Sequence, residues 1–182
     1  MASGSNRRRQ LLGLLNLSFS VQVPDVNESL VGNEKPIEYV ARLARSKAQV
    51  IYKSLADSQT VLAADTIVSL DEEIIGKPEN AQHAKRILQK LSSVEHDVIT
   101  GLCLKYAGNN HQTEVLSKVK FRQLSNSEIS SYCLTDEPYD KAGAYAIQGK
   151  AARFVEYISG SYTNIMGLPL LEVYMLLKRA NL

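Results

Sequence analysis

The sequence predicts an α/β domain with a mixed central sheet flanked by helices, and three observations carry that prediction. Thr60 to Leu70 is a near-continuous apolar, β-branched run, as in a strand buried on both faces. Pro36 and Pro78 each open a segment whose apolar residues recur at helical spacing. Val98 to Tyr106 and Thr113 to Phe121 read as paired strands around the turn residues Gly108, Asn109 and Asn110, as the arms of a hairpin do. Helices interleaved with strands, plus one hairpin, give layered α/β packing.

In chain order, Arg7 to Leu15 reads as a short helix and Phe19 to Val23 as a strand, with Asp25 to Lys35 a polar loop. Ile37, Val40, Ala41, Ala44, Ala48 and Ile51 predict a helix from Pro36 to about Leu55. Glu72 to Ile75 is a small β excursion after the central strand. From Pro78, Ala81, Ala84, Ile87, Leu88 and Leu91 share one helix face. Ser125 and Glu128 form a capping-box pattern. Arg153 to Ile158 reads as a strand, and Pro169 opens a last helix closed by Lys178 and Arg179, charges that suit a helix C-terminus.

At 182 residues the chain fits one domain, 1–182, large enough to bury a core without disulfides. Lys and Arg number 21 against 19 acidic residues, so no bulk positive charge points to a general nucleic-acid coat. Cys103 and Cys133 form no close pair and read as small apolar filler in a reduced setting, and His83, His96 and His111 lack zinc-ligand spacing. The apolar stretches are interrupted by Asn16 or Asp65, so none spans a bilayer, and a cytoplasmic protein is expected.

Asp65 is the sharpest anomaly, a carboxylate inside Val61-Leu62-Ala63-Ala64-Asp65-Thr66-Ile67-Val68. Such a group needs a metal, a cation or a strand end, because an unpaired buried charge costs several kcal/mol. It is either functional or one half of a structural ion pair. Ser3-Gly4-Ser5-Asn6-Arg7-Arg8-Arg9 leads small residues and arginines into a helix, which suits an anion or makes a solvated basic turn. Gly76-Lys77-Pro78 puts a lysine before a helix, and Lys47 lies near the apolar face of the long helix, where a lysine ordinarily snorkels. Asp140 to Gly149 is rich in small residues and ends with Gln148, a donor and acceptor suited to a base edge, or it is a compact connection between strands.

Taken in order, these segments resemble the Maf family of nucleoside triphosphate pyrophosphatases. The resemblance rests on Ala2-Ser3-Gly4-Ser5 with Arg7-Arg8, Ala64-Asp65-Thr66-Ile67-Val68, Gly76-Lys77-Pro78, Asp140-Lys141-Ala142-Gly143-Ala144-Tyr145 with Ile147-Gln148-Gly149, Gly160-Ser161-Tyr162 and Gly167-Leu168-Pro169-Leu170. It covers essentially the whole chain and implies a two-lobed Maf/ITPase-like α/β fold with the site in the cleft between lobes. It also implies a divalent cation, Mg²⁺ or Mn²⁺, a free nucleoside triphosphate as substrate and a homodimer, with no stable nucleic-acid or membrane partner. By resemblance Asp65 is the catalytic proton acceptor and, with Glu28, a metal-holding carboxylate. Ser3, Arg7, Arg8, Lys47 and Lys77 match phosphate-binding positions. Arg7, Thr66 and Gln148 match positions tied to base choice and look like the branch acting on dTTP and UTP, not the 7-methyl-GTP branch.

Three positions depart from the family pattern. Met1 stands where members carry a short apolar strand, so a missing or shortened strand is expected there. Asn6 replaces Pro in the turn presenting Arg7, and Ala146 replaces Gly near the base pocket. The expected function is hydrolysis of dTTP and UTP to the monophosphate and pyrophosphate, with clearance of modified nucleotides as a variant. The rival is a non-hydrolytic nucleotide- or nucleic-acid-binding regulator of cell division, supported by the Arg7-Arg8-Arg9 cluster.

Overall fold

A computed structural model describes residues 1–55 and 59–182. In chain order the elements are α1 (Asn6–Gly13), α2 (Pro36–Tyr52), β1 (Val61–Leu70), β2 (Glu73–Ile75), α3 (Ala81–Leu91), β3 (Glu95–Tyr106), β4 (Asn109–Phe121), α4 (Asn126–Cys133), β5 (Val155–Ser159), α5 (Tyr162–Ile165) and α6 (Leu170–Arg179). The strands form one sheet in the order β2-β1-β3-β4-β5, antiparallel in its β1–β2 and β4–β5 pairs. Its parallel component enters at Ala2, whose isolated bridges reach Ala63 on one side and Gln22 on the other.

The strand expected over Phe19–Val23 reduces to that single bridge at Gln22. Its partner Ala2 is itself one residue of pairing, so no ladder propagates, and Val23 stays 72% exposed. Where a short apolar strand is expected, the Met1 carbonyl accepts from the Gln22 N–H at 3.0 Å and the Ala2 N–H donates to the Leu62 carbonyl at 2.8 Å.

The described chain divides into two compact units. The first holds Met1–Thr66, Thr100–Val115 and Gly167–Leu182, and the second holds Ile67–Ile99 and Leu116–Met166.

In the first unit, α2 starts where the sequence predicts, with Pro36 in its first turn and the Glu38 carboxylate accepting from the Lys35 N–H at 2.9 Å. Val40, Leu43, Ala44, Ala48 and Ile51 give it a buried stripe at spacings of three and four. The helix ends at Tyr52, three residues short of expectation. Ala44, Ala48, Ile51 and Tyr52 pack with Ala2, Val61, Ala63 and the buried thiol of Cys103. Gly101 of β3 makes the contact with α2 possible, because a Cβ there would lie 2.4 Å from the Val40 carbonyl oxygen. The β3–β4 hairpin turns at Ala107 and Gly108, both at positive φ (47° and 78°), as a two-residue type I′ turn requires. Asn109 and Asn110, expected in the turn, therefore belong to β4.

In the second unit, α3 begins at Ala81 and not at Pro78, because the Asn80 side chain caps it by accepting from the His83 N–H at 2.9 Å. Ala84, Ile87, Leu88 and Leu91 pack into a core with Phe121, Tyr132, Tyr145 and Phe154. The Ser125–Glu128 capping box forms as expected at the start of α4. Buried His96 pairs its Nε2 with the Tyr145 hydroxyl at 2.9 Å, and burial lowers its pKa to about 4, so it stays neutral. Among the described residues, no helix is long and apolar enough to cross a membrane.

Candidate functional site

β1 carries Asp65 between fully buried Ala64 and the half-buried Thr66, and leaves its side chain 10% exposed. α2 runs its buried stripe through Lys47, between Leu43-Ala44 and Ala48-Ile51. Lys47 does not snorkel. Its Nζ donates to Asp65 Oδ1 at 2.6 Å and lies 2.6 Å from Glu28 Oε1, in the loop before α2. One ammonium therefore joins two carboxylates from separate parts of the chain. Burial pushes the Asp65 carboxyl pKa up, the Lys47 and Arg8 charges pull it back, Glu28 opposes them, and the net shift is upward.

Beside this cluster, the Ser5 hydroxyl caps α1 by accepting from the Arg8 N–H at 3.4 Å, and the Ser3 hydroxyl accepts from the Ser5 N–H at 3.2 Å. Capping by Ser5 lets the turn form with Asn6 in place of Pro. The Arg8 guanidinium donates through Nε to the Gly167 carbonyl (2.8 Å). Its other two nitrogens donate to the Ala64 carbonyl (2.8 Å) and the Ser3 hydroxyl (3.4 Å), and to the Thr66 hydroxyl (2.9 Å). Among the described residues, four of its five N–H groups have protein acceptors. The Thr66 hydroxyl also meets Thr100 Oγ1 at 2.8 Å. Arg7 is half-buried in the first turn of α1.

Lys77 and Gln148 belong to the second unit, and both are exposed. Their segments are tied together there, since the Gly143 N–H donates to the Gly76 carbonyl at 3.1 Å. Gly143 takes a positive φ of 69°, in line with the small-residue character of Asp140 to Gly149. Apart from Arg7, for which no contact with them is seen among the described residues, the predicted residues thus fall into three groups: Glu28 with Lys47 and Asp65, Ser3 with Arg8 and Thr66, and Lys77 with Gln148 on linked segments. A groove of about 300 Å³ lined by residues such as Met1, Phe19, Ile51 and Thr60 includes none of them.

Tyr39, Glu34 and Arg42 stand around the Glu28 loop without any motif to announce them. Their one sequence signal is a Tyr and an Arg at i, i+3 just after a polar loop, and the contacts they make are tertiary.

Asp65 and Glu28 supply hard oxygen donors already gathered round a positive charge, which fits a divalent cation. Among the described residues, no group of three His, Cys, Asp or Glu side chains could hold a metal by itself. Magnesium commonly binds through one or two carboxylates, with waters and substrate phosphates as further ligands, so a two-carboxylate set suits such a cation.

A family model described as "Maf-like protein" matches residues 1–180. Curated relatives match nearly end to end. A dTTP/UTP pyrophosphatase of Acinetobacter baylyi is 48% identical, the match covering 98% of this chain and 97% of the relative. One of Hahella chejuensis is 45% identical over 98% and 90%. One of Vibrio cholerae is 44% identical over 98% and 96%.

Proposed function

This chain belongs to the Maf family, and from that premise we propose that it acts as a single Maf-like domain hydrolysing dTTP and UTP to the monophosphate and pyrophosphate. The observation that carries the reading is the apolar-flanked Asp65 carboxylate, joined to Glu28 through the Lys47 ammonium.

In the mechanism we assign, Asp65 orients a water at the α-phosphorus and takes its proton as the new P–O bond forms and the bond to the leaving pyrophosphate breaks. A base whose pKa is raised from the ordinary carboxyl value is better matched to that task near neutral pH. Asp65 and Glu28 would hold the divalent cation, Mg²⁺ or Mn²⁺, which would supply positive charge against that developing on the phosphate oxygens. Lys47 supplies a fixed positive charge beside both carboxylates and so stands close to the reacting phosphate. Ser3, Arg7 and Lys77 grip the triphosphate, and Arg8 adds to that grip while bracing the turn against β1.

For the base, Gln148, Thr66 and Arg7 are the readers. A cytosine, which offers a donor where uracil offers an acceptor, leaves polar groups mismatched at such a site. The committed hydroxyl of Thr66 makes its influence pass through Arg8 and Thr100. The same reading makes the protein a cytoplasmic homodimer working on free nucleotides.

The test is product identification after incubation with dTTP, UTP, CTP and modified pyrimidine nucleotides, with Mg²⁺ or Mn²⁺. Monophosphate and pyrophosphate from dTTP and UTP are expected, with CTP spared. Binding of nucleotide without metal-dependent turnover would favour the regulator. Preference for a modified nucleotide would place the protein in nucleotide clearance.

A further inference from the structure

Glu28 is the least secured member of the carboxylate pair. Its side chain is 53% exposed, and it sits in a loop outside any helix or strand. A metal-holding group in such a loop must still be held in place, because ordering loop backbone costs about 1–2 kcal/mol per residue.

We propose that Tyr39 and Arg42 are positioning residues for Glu28, fixing the 28–34 segment so that the Glu28 carboxylate is presented beside Asp65. The inference rests on the reading of Glu28 as a metal-holding residue. The Tyr39 hydroxyl donates to the carbonyl of Glu28 itself at 2.8 Å. The Arg42 guanidinium donates to the next carbonyl, that of Ser29, at 3.0 Å. The same guanidinium engages both oxygens of Glu34, at 2.8 and 2.5 Å, and Glu34 accepts the Val31 N–H at 3.0 Å. The loop is thus stapled to α2 at residues 28, 29 and 34, and Val31 is tied to Glu34 within the loop.

Two features mark this as a built clamp and not a surface ion pair. The Glu34 side chain is only 10% exposed and its pairing with Arg42 is bidentate, the geometry in which such pairs hold a fixed orientation. The Arg42 guanidinium also lies 5.4 Å from the Tyr39 ring centroid, so the two clamping side chains support each other. α2 carries Lys47 as well, and one rigid helix therefore sets both the loop that bears Glu28 and the ammonium that Glu28 meets. Side chains that orient a metal ligand typically change metal affinity by roughly ten- to a hundredfold when removed.

The experiment compares the full-length protein with Arg42→Met and Tyr39→Phe, each alone and combined with Glu28→Gln. Binding of Mn²⁺ alone is read from the electron paramagnetic resonance signal of the free ion, alongside the Mn²⁺ concentration for half-maximal pyrophosphate release from dTTP. Each single variant is expected to weaken Mn²⁺ binding, Arg42→Met by roughly tenfold or more, while turnover at saturating Mn²⁺ stays near wild type. In the Glu28→Gln background neither variant should weaken binding further, the non-additivity of residues that act through one group. The proposal is overturned if both variants bind Mn²⁺ as the wild type does, if their losses persist undiminished in the Glu28→Gln background, or if Glu28→Gln itself leaves Mn²⁺ binding unchanged. Failure of the functional reading looks different: Mn²⁺ bound through Glu28 with no pyrophosphate released, which leaves the positioning role standing.

Discussion

Lys47 meets Asp65 at 2.6 Å across 18 positions of sequence, with both side chains close to nine-tenths buried. A lysine within an apolar helix stripe and an aspartate within an apolar strand are each costly alone, and each offsets part of the other's penalty. Lys47→Ala leaves Asp65 buried without its nearest counter-charge, an effect worth about 3 kcal/mol for broken buried pairs. Chemical denaturation of the metal-free variant should show a loss of that order, partly restored by Mn²⁺. A variant as stable as the wild type in metal-free buffer would mean that the pair carries no such weight.

The upward shift of the Asp65 pKa also sets a pH signature. A carboxyl whose folded pKa lies above its unfolded value favours folding in its protonated form. Its contribution is fully present below the unfolded pKa and is lost as pH rises through the folded one. Relative to wild type, metal-free Asp65→Asn, which does not titrate, should therefore gain in melting temperature as pH rises from about 4 toward neutrality. A difference that stays flat over that range would contradict the burial argument.

Gly101 links the fold to the site, since its missing side chain lets α2 and its Lys47 lie against β3. A methyl group there meets Val40 backbone atoms at 2.4 and 2.5 Å, and backbone cannot yield as a side-chain tip can. Gly101→Ala should cost about 1–3 kcal/mol or more, the range for overpacking, and should lower Mn²⁺-dependent turnover along with the melting temperature. An unchanged melting temperature would show that the helix has another way to seat.

The proposed function assigns base reading to Gln148, an exposed residue on the segment bonded to Gly76. Gln148→Glu removes the amide donor and adds a charge, which should penalise an acceptor-bearing uracil or thymine edge and narrow the gap to CTP. Ranking dTTP, UTP and CTP by kcat/KM tests this, and an unchanged ranking removes Gln148 from base reading.

Much of the fold is legible in the sequence. Prolines, capping residues and periodic apolar faces are local signals, and α2, β1, α4 and α6 appear where those signals stand. Asp65 was visible because a charge in an apolar strand breaks its surroundings' pattern. Phe19 to Val23 misled because alternation marks a surface that can pair, while a strand also needs a partner, and Ala2 offers a single residue. The partner of Lys47, the commitment of Arg8 to Gly167 and Ala64, and the hold of Tyr39 and Arg42 on the Glu28 loop were not legible. Each joins residues far apart in sequence, which a pattern of residue types does not encode.

The central assignment is that the Asp65 carboxylate activates the attacking water, and pyrophosphate release from dTTP by wild-type and Asp65→Asn protein at saturating Mg²⁺ tests it most directly. The substitution keeps the shape of the side chain but removes the base, and the account predicts a fall in kcat of about 10²–10⁴-fold in a protein that still folds. Asp65→Asn turning over at the wild-type rate would contradict it.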